Sequence, residues 1–164
     1  MTLAPPVLLT AAHGLEQFDC GTSELDEWLR RRALGNQQSG ASRTYVVTDE
    51  GRVFGYYALA AGAVSVSVVP GRFRRNMPDP IPVVILGRLA IHTSWQGRSV
   101  GRALFRDAAL RVLNAADTIG VRGILVHAIS EHAKAFYVAL GFEGSPFEPM
   151  TLMITLADLR ATQT

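Results

Sequence analysis

The chain has a single cysteine, Cys20, among its 164 residues. One cysteine excludes an internal disulfide framework and any zinc site built from several cysteines, and it suits a reducing compartment such as the cytoplasm. Lysine is equally scarce, since 15 of the 16 basic residues are arginine and the exception is Lys134. Arginine binds planar anions through a rigid fork of donors, so the bias favours phosphate or carboxylate partners. A genome that prefers arginine codons gives the same bias.

Long apolar runs are also missing. Arginine or glycine interrupts every candidate for a transmembrane helix, and no basic segment precedes the apolar N-terminus, so residues 1–12 do not predict a signal peptide. Hydrophobic residues nevertheless make up 48% of the chain and charged residues 18%, which is enough apolar material for a folded core. The length predicts one domain, residues 1–164.

The net charge of +2 conceals an uneven distribution of charge along the chain. Residues 1–29 carry five acids and no base, whereas residues 30–75 carry eight arginines against two acids. Residues 88–111 carry five more arginines against one acid. A surface of one sign attracts polyanions more strongly than an evenly spread charge does. The alternative is that these arginines pair with the acids of the first helix.

Apolar periodicity predicts an alternation of strands and helices, and therefore an α/β (α+β) fold. Helices are predicted from Thr22 or Ser23, whose side chains can cap the first turn, and at 101–116 and 131–140. The predicted strands are 7–10, 43–48, 53–59, 64–69, 82–91, 123–129 and 150–156. Strands 82–91 and 123–129 flank a helix, which predicts a parallel, adjacent pair. The proline-rich, arginine-bearing residues 70–82 predict a long loop.

The most informative segment joins the apolar strand 82–91 to the next helix and reads Gln96-Gly97-Arg98-Ser99-Val100-Gly101-Arg102. A strand that turns directly into a helix points several backbone amides and the positive end of the helix at one place. The segment therefore predicts an anion site suited to a pyrophosphate, with two arginines adding side-chain charge. Its glycine spacing fits neither the Walker pattern nor the dinucleotide fingerprint. An ordinary strand-to-helix turn is the alternative.

Residues 96–101 resemble the Gln/Arg-x-x-Gly-x-Gly/Ala loop of GCN5-related N-acetyltransferases, the GNAT family, and residues 131–142 resemble the family's Ala-x-x-Phe-Tyr-x-x-x-Gly-Phe segment. The resemblance implies one acyltransferase domain with a mixed, mostly antiparallel sheet, whose central parallel pair splays at an acetyl-CoA site. Ser99 replaces the family's middle glycine, and its Cβ restricts positive φ. The implied acetyl-CoA contacts are Leu89, Ala90, Ile91, Gln96, Gly97, Arg98, Ser99, Val100, Gly101, Arg102 and Phe136.

The same resemblance implies that Tyr137 is the general acid that donates to the departing thiolate of coenzyme A. A phenol is protonated at pH 7 and can serve in this role. The alternative is a core tyrosine, although the neighbouring Phe136 is the stronger core candidate. A main-chain amide of residues 89–91 would polarise the thioester carbonyl. His92, at the exit of the strand, could assist proton removal, and the histidines show no metal-ligand spacing, so no metal is expected.

Four further segments, 18–29, 69–78, 86–90 and 149–159, resemble the GNAT toxins of bacterial type II toxin–antitoxin pairs. This resemblance implies acetylation of the α-amino group of aminoacyl-tRNA, a block of translation and neutralisation by a ribbon-helix-helix antitoxin. It also implies a homodimer in the cytoplasm, with no membrane partner. Phosphate neutralisation by arginine is what a tRNA acceptor end requires. The expected tRNA contacts are Arg72, Arg74, Arg75, Arg30 and Arg88.

Two other functions stay open. The first is a GNAT enzyme that acetylates a protein N-terminus or a small amine, against which the arginine-bearing segment 70–82 counts. The second is a catalytically silent CoA-binding module that acts through a partner, for example in a repressor complex on DNA. Ser99 keeps this second function open, and Tyr137 counts against it because a silent module has no need of an acid.

Overall fold

The computed structural model describes residues 2–163. The strands are β1 Val7–Leu8, β2 Arg43–Asp49, β3 Arg52–Val64, β4 Ile81–Ile91, β5 Gly123–His127, β6 Glu143–Gly144 and β7 Thr151–Thr155. The helices are α1 Ser23–Trp28, α2 Leu34–Ser39, α3 Gly71–Arg74, α4 Val100–Ala115, α5 Glu131–Ala139 and α6 Leu156–Thr162. A π-helical turn, Leu29–Ala33, joins α1 to α2. Within residues 2–163, no helix combines the length and the apolarity needed to cross a bilayer.

The strands form a mixed sheet in the order β1-β2-β3-β4-β5-β7-β6. The pairs β1/β2, β2/β3, β5/β7 and β6/β7 are antiparallel. β4 and β5 are parallel, with Val84 opposite Ile124 and Leu86 opposite Val126. The predicted mostly antiparallel sheet with one parallel pair is therefore confirmed.

The described residues group into two compact units, each with its own apolar core. The first unit ends at Ala60 and resumes over Gly87–Ala108, and the second comprises Ala61–Leu86 and the chain from Ala109 onward. The core of the first unit includes Leu9, Phe18, Leu25, Leu29, Ala33, Val46, Tyr56 and Ala90. The core of the second includes Val69, Phe73, Ile81, Val83, Leu125 and Met153.

The first helical segment buries one stripe, as its sequence predicts. Leu25, Leu29 and Ala33 recur every four residues and are at most 9% exposed. The predicted side-chain cap of this helix was wrong, because Thr22 occupies the N-cap without a side-chain hydrogen bond. The Asp26 carboxylate instead accepts a hydrogen bond from the backbone N–H of Cys20 at 2.9 Å. Gly40, with φ +85°, ends α2 in the left-handed conformation that favours glycine.

Two expectations for residues 64–82 were wrong. β3 runs without interruption to Val64, and Val66–Val68 then form a 3₁₀ turn instead of a strand. The Ser65 hydroxyl accepts from the Ser67 N–H at 3.3 Å, a local bond that competes with strand pairing. The predicted loop contains α3, which forms because it buries Phe73, 2% exposed.

Two further elements that the sequence pattern missed, β6 and α6, follow α5. α6 carries a recognisable start signal, since the Thr155 hydroxyl accepts from the backbone N–H of Asp158 at 3.1 Å. An acid in the first turn also favours the helix dipole. β6 is only two residues long, which is too short for an apolar alternation to reveal.

Gly123 tests the pairing of β5 with β7. A Cβ at this position would lie 1.9 Å from the carbonyl oxygen of Ile154, a backbone atom that cannot rotate away. Gly123→Ala should therefore lower the free energy of unfolding by about 3 kcal/mol, measured by chemical denaturation. Gly120→Ala is the matched control, because nothing lies within 4 Å of its built Cβ. Equal stability of the two variants would contradict the register.

Candidate active site

The turn between β4 and α4 lies in the first unit and is fixed by the side chain of Gln96. The Gln96 amide donates to the backbone carbonyl oxygens of Cys20 and Ile91, both at 2.8 Å. These two bonds tie the turn to the end of β4 and to the segment before α1. The Gln96 side chain is thus engaged in holding the turn, and its expected acetyl-CoA contact would come from its backbone.

The backbone of this turn is left-handed at two positions, Gly97 with φ +76° and Ser99 with φ +64°. Ser99 therefore keeps the conformation that glycine adopts without strain, although a side chain makes that conformation cost about 1–2 kcal/mol. Open space surrounds the Cβ position of Gly97, with nothing within 4 Å. The departure from the family pattern at Ser99 has not changed the course of the backbone.

The left-handed turn leaves amides open at the start of α4. The backbone N–H of Ala103 donates to the Ser99 carbonyl at 3.2 Å, which is the first bond of the helical ladder. The N–H groups of Val100, Gly101 and Arg102 precede that bond, so they have no partner within the helix. They lie at the positive end of a 16-residue helix. This donor set fits a pyrophosphate.

Two arginines flank these amides, and both are exposed. The Arg98 guanidinium lies 5.0 Å from the centroid of the Trp95 ring, a cation–π contact that holds it beside the turn. Arg102 lies in the first turn of α4. Both side chains add positive charge to the donor set.

The last residues of β4 differ in how deeply their side chains are buried. The Ala90 side chain is buried at 5% exposure and packs in the first unit's core, whereas Leu89 and Ile91 are half-buried. Ile91 is fixed through its carbonyl, which accepts from Gln96. The expected main-chain contacts of these three residues with acetyl-CoA stay a prediction.

His92 is held by hydrogen bonds at both ring nitrogens. Its Nδ1 accepts a hydrogen bond from the backbone N–H of Ser94 at 3.1 Å. Its Nε2 lies 3.2 Å from the Gln17 carbonyl oxygen, which can only accept, so Nε2 carries the proton. Both ring nitrogens are therefore engaged.

Cys20 is not a nucleophile. Burial, together with a hydrogen bond to Asp26, raises the pKa of the Cys20 thiol to about 11. The thiol is therefore protonated at neutral pH, and the thiolate is the reactive form. Within residues 2–163, no three histidine, cysteine or acidic side chains form a group that could bind a metal.

Tyr137 lies in the second unit, on α5, and only 7% of its side chain is exposed. Its ring makes edge contacts with Phe136 and Phe142, at centroid distances of 5.2 and 5.3 Å. Burial raises the pKa of Tyr137 far above its usual value, so the phenol stays protonated throughout the physiological range. The expectation that Phe136 is the stronger core residue was wrong, because the register of α5 directs Tyr137 inward and leaves Phe136 half-buried.

The five arginines expected to bind tRNA differ in their contacts. Arg72 is exposed and donates to both carboxylate oxygens of Asp158, at 2.8 and 2.6 Å. This pairing raises the pKa of Arg72 and lowers that of Asp158. Arg30 donates to the Phe18 carbonyl at 2.8 Å. Both side chains are therefore held by the fold.

The remaining three are less restrained. Arg74 and Arg75, at the end of α3, are exposed, and Arg74 makes only a 3.5 Å contact with the Val69 carbonyl. Arg88, on β4, is half-buried and lies over the Trp28 ring. The second unit thus brings Arg72, Arg74 and Arg75 together, whereas Arg30 and Arg88 belong to the first.

Ser99→Gly tests the strain in the turn. Relief of the left-handed strain is partly offset by the larger entropy of glycine in the unfolded chain, so the free energy of unfolding should rise by about 0.5–1 kcal/mol. Denaturant unfolding measures the change. Gly97→Ala should act in the opposite direction, because it introduces the same strain. A Ser99→Gly variant less stable than the parent would contradict the strained conformation.

Comparisons with known proteins agree with this geometry. The model of an acetyltransferase (GNAT) domain matches residues 40–144. The chain is 49% identical to a tRNA-acetylating toxin of Mycobacterium tuberculosis over 156 residues, which is 95% of this chain and 94% of the toxin. Its structure is similar to that of AtaT complexed with acetyl-methionyl-tRNAfMet, with a TM-score of 0.90, 30% identity, and coverage of 99% of this chain and 100% of the AtaT chain.

A second similar structure is a mutant AtaT toxin bound to the C-terminus of the antitoxin AtaR and to acetyl-CoA. Its TM-score is 0.85 and its identity 29%, with coverage of 99% of this chain and 98% of that chain. The domain match spans most of the chain, including the β4–α4 turn and α5. The chain belongs to the GNAT acetyltransferase family.

Proposed function

We propose that the protein transfers the acetyl group of acetyl-CoA to the α-amino group of aminoacyl-tRNA and thereby blocks translation. The observation that carries the proposal is the left-handed turn at residues 97–99, which leaves three amides open at the positive end of α4. The acceptor is supported by the 49% identity to a tRNA-acetylating toxin and by the likeness to AtaT complexed with an acetylated aminoacyl-tRNA.

Each part of acetyl-CoA has a proposed set of partners in the chain. The amides of Val100, Gly101 and Arg102 bind the pyrophosphate, and Arg98 adds charge beside it. The main chain of Leu89–Ile91 binds the pantetheine arm, and one of its amides polarises the thioester carbonyl. Because an amine is itself a nucleophile, the reaction needs no nucleophilic side chain, which agrees with the protonated thiol of Cys20.

Proton transfer falls to Tyr137. The amine forms a bond to the acetyl carbon and the carbon–sulfur bond breaks, while the Tyr137 hydroxyl donates its proton to the sulfur. The amine must reach the site unprotonated. The proton that it loses on reaction passes to water, and water returns a proton to Tyr137. His92 takes no part, because both of its ring nitrogens are hydrogen-bonded.

The tRNA surface proposed for the second unit is narrower than the sequence predicts. Arg74 and Arg75 are exposed and lie next to each other at the end of α3, where they can pair with phosphates. Arg72 must first leave Asp158, so its contribution is smaller. Arg30 is more restrained than Arg74 and Arg75, because one of its guanidinium nitrogens donates to the Phe18 carbonyl.

The proposed partners are a ribbon-helix-helix antitoxin and a second copy of the chain, both in the cytoplasm. The structure of an AtaT mutant bound to the C-terminus of AtaR supports an antitoxin partner. The type of antitoxin and the homodimer follow from the resemblance to the toxins.

The acceptor is tested by supplying labelled acetyl-CoA together with charged tRNA, a peptide with a free N-terminus and a small amine. Label on aminoacyl-tRNA is the expected result. Label confined to the peptide or the small amine would indicate a GNAT enzyme of another specificity, and no transfer would indicate a silent CoA-binding module.

Tyr137→Phe tests the acid. We expect kcat to fall by about 10²–10³-fold with little change in KM, because only proton donation is lost. In the parent enzyme the rate should rise as the α-amino group loses its proton near pH ~8, and it should not fall again up to about pH 10. The raised pKa of Tyr137 keeps the phenol protonated over that range. Full activity of the variant would refute the assignment.

A charge reversal, Arg74→Glu with Arg75→Glu, tests the tRNA surface. We expect kcat/KM for aminoacyl-tRNA to fall by more than about tenfold, and its dependence on salt to weaken by two or more charges. Acetyl-CoA affinity, measured by calorimetry, should stay unchanged. Arg160→Glu, an exposed arginine on α6, is the matched control. Unaltered tRNA kinetics in the double variant would exclude this surface.

A further inference from the structure

Three side chains of the first unit form a stack beside β4. The Trp28 indole, at the end of α1, lies parallel to the Tyr56 ring, with centroids 6.0 Å apart and an interplanar angle of 12°. The Arg88 guanidinium lies 4.3 Å from the Trp28 ring centroid. The Tyr56 hydroxyl donates to the Leu25 carbonyl at 2.7 Å, which fixes the base of the stack. We call these three residues the Tyr56–Trp28–Arg88 stack.

Arg88 differs from Arg72 and Arg30 in what its guanidinium contacts. It is half-buried, yet within residues 2–163 it makes neither an ion pair nor a hydrogen bond, whereas Arg72 and Arg30 have such partners. Removing a cation from water without an anion is costly. The indole offsets part of this free energy by contacting the face of the guanidinium. The N–H groups at the edge of the guanidinium stay available. Those donors match a phosphate, which pairs with the edge of an arginine bidentately.

The position of Arg88 indicates which phosphate this is. Side chains alternate along a strand, so Arg88 and Ala90 lie on the same face of β4. Ala90 packs in one cluster with Trp28 and Tyr56, so this is the face covered by α1. The next residues of β4 are those proposed to bind the thioester. In aminoacyl-tRNA the phosphate nearest to the reacting amine is that of the 3′-terminal nucleotide.

We propose that Trp28 is a positioning residue, which holds Arg88 ready to bind the 3′-terminal phosphate of the aminoacyl-tRNA acceptor. The inference rests on the proposed function, because it concerns the same acceptor. Trp28 acts by restricting the guanidinium before the acceptor arrives, and Tyr56 in turn restricts the indole. The acceptor end is thereby oriented with its amino group toward the thioester.

Kinetics with two acceptors test the stack. One is aminoacyl-tRNA, and the other is the same amino acid on adenosine, which lacks the phosphate. For Trp28→Leu we expect KM for aminoacyl-tRNA to rise about tenfold, and Trp28→Phe, which keeps an aromatic face, to stay within about threefold of the parent. KM for aminoacyl-adenosine and for acetyl-CoA should be unchanged in both variants.

A second arginine–tryptophan pair provides the control. Trp95→Leu releases Arg98 instead of Arg88, so it should raise KM for acetyl-CoA and leave KM for aminoacyl-tRNA as it is. Arg88→Gln should reproduce the effect of Trp28→Leu and weaken the salt dependence by about one charge. This variant decides the question if Trp28→Leu does not fold.

Two results would overturn the inference. The first is an unchanged KM for aminoacyl-tRNA in Trp28→Leu, or in Arg88→Gln if Trp28→Leu does not fold. The second is an equal rise of KM for aminoacyl-tRNA and for aminoacyl-adenosine. A parent enzyme that acetylates other amines but not aminoacyl-tRNA would overturn the proposed function itself, which is a distinguishable failure.

Discussion

The short path from β4 into α4 constrains the rest of the first unit. The chain must leave the strand at Ile91 and begin a helix at Val100, and it does so with left-handed backbone at Gly97 and Ser99. The first amides of α4 have no partner within the helix, as at the start of any α-helix. Gln96 stabilises the arrangement by bonding to the carbonyls of Cys20 and Ile91. In the proposed function, these amides at the positive end of α4 are the donors that bind the pyrophosphate of acetyl-CoA.

The role of each arginine is decided by what already surrounds it. Arg72 is paired with Asp158 and Arg30 with a carbonyl, so the fold itself uses their donors. Arg98 and Arg88 are each held over a tryptophan, which restricts the guanidinium but leaves its edge able to bind an anion. Counting basic residues along the chain would treat all four alike. The cation–π contacts distinguish the two arginines proposed to bind ligands from the two whose donors are bonded within the protein.

Local signals predicted much of the fold and the most informative part of the site. The apolar run 82–91, the glycine-bearing turn and the periodic helix after it all appear where the sequence predicts them, because each depends on neighbouring residues. Long-range contacts were not predictable. Arg72 and Asp158 are 86 positions apart, and nothing near Arg72 reveals the pairing. Whether Tyr137 or the neighbouring Phe136 points into the core depends on the helical register of α5. The structure buries Tyr137. The helical spacing of Trp28 predicts only a core residue. Its contact with Arg88 joins α1 to a distant strand and could not be predicted from the sequence.

We expect the open amides at the start of α4 to bind the pyrophosphate of acetyl-CoA. Calorimetric titration with acetyl-CoA and with acetyl-pantetheine, the same thioester without the pyrophosphate and the 3′-phosphoadenosine attached to it, measures this binding. Hydrogen bonds to a charged group contribute about 1.5–3 kcal/mol each, so acetyl-CoA should bind at least about a hundredfold more tightly than acetyl-pantetheine. Equal affinities for the two thioesters would contradict it.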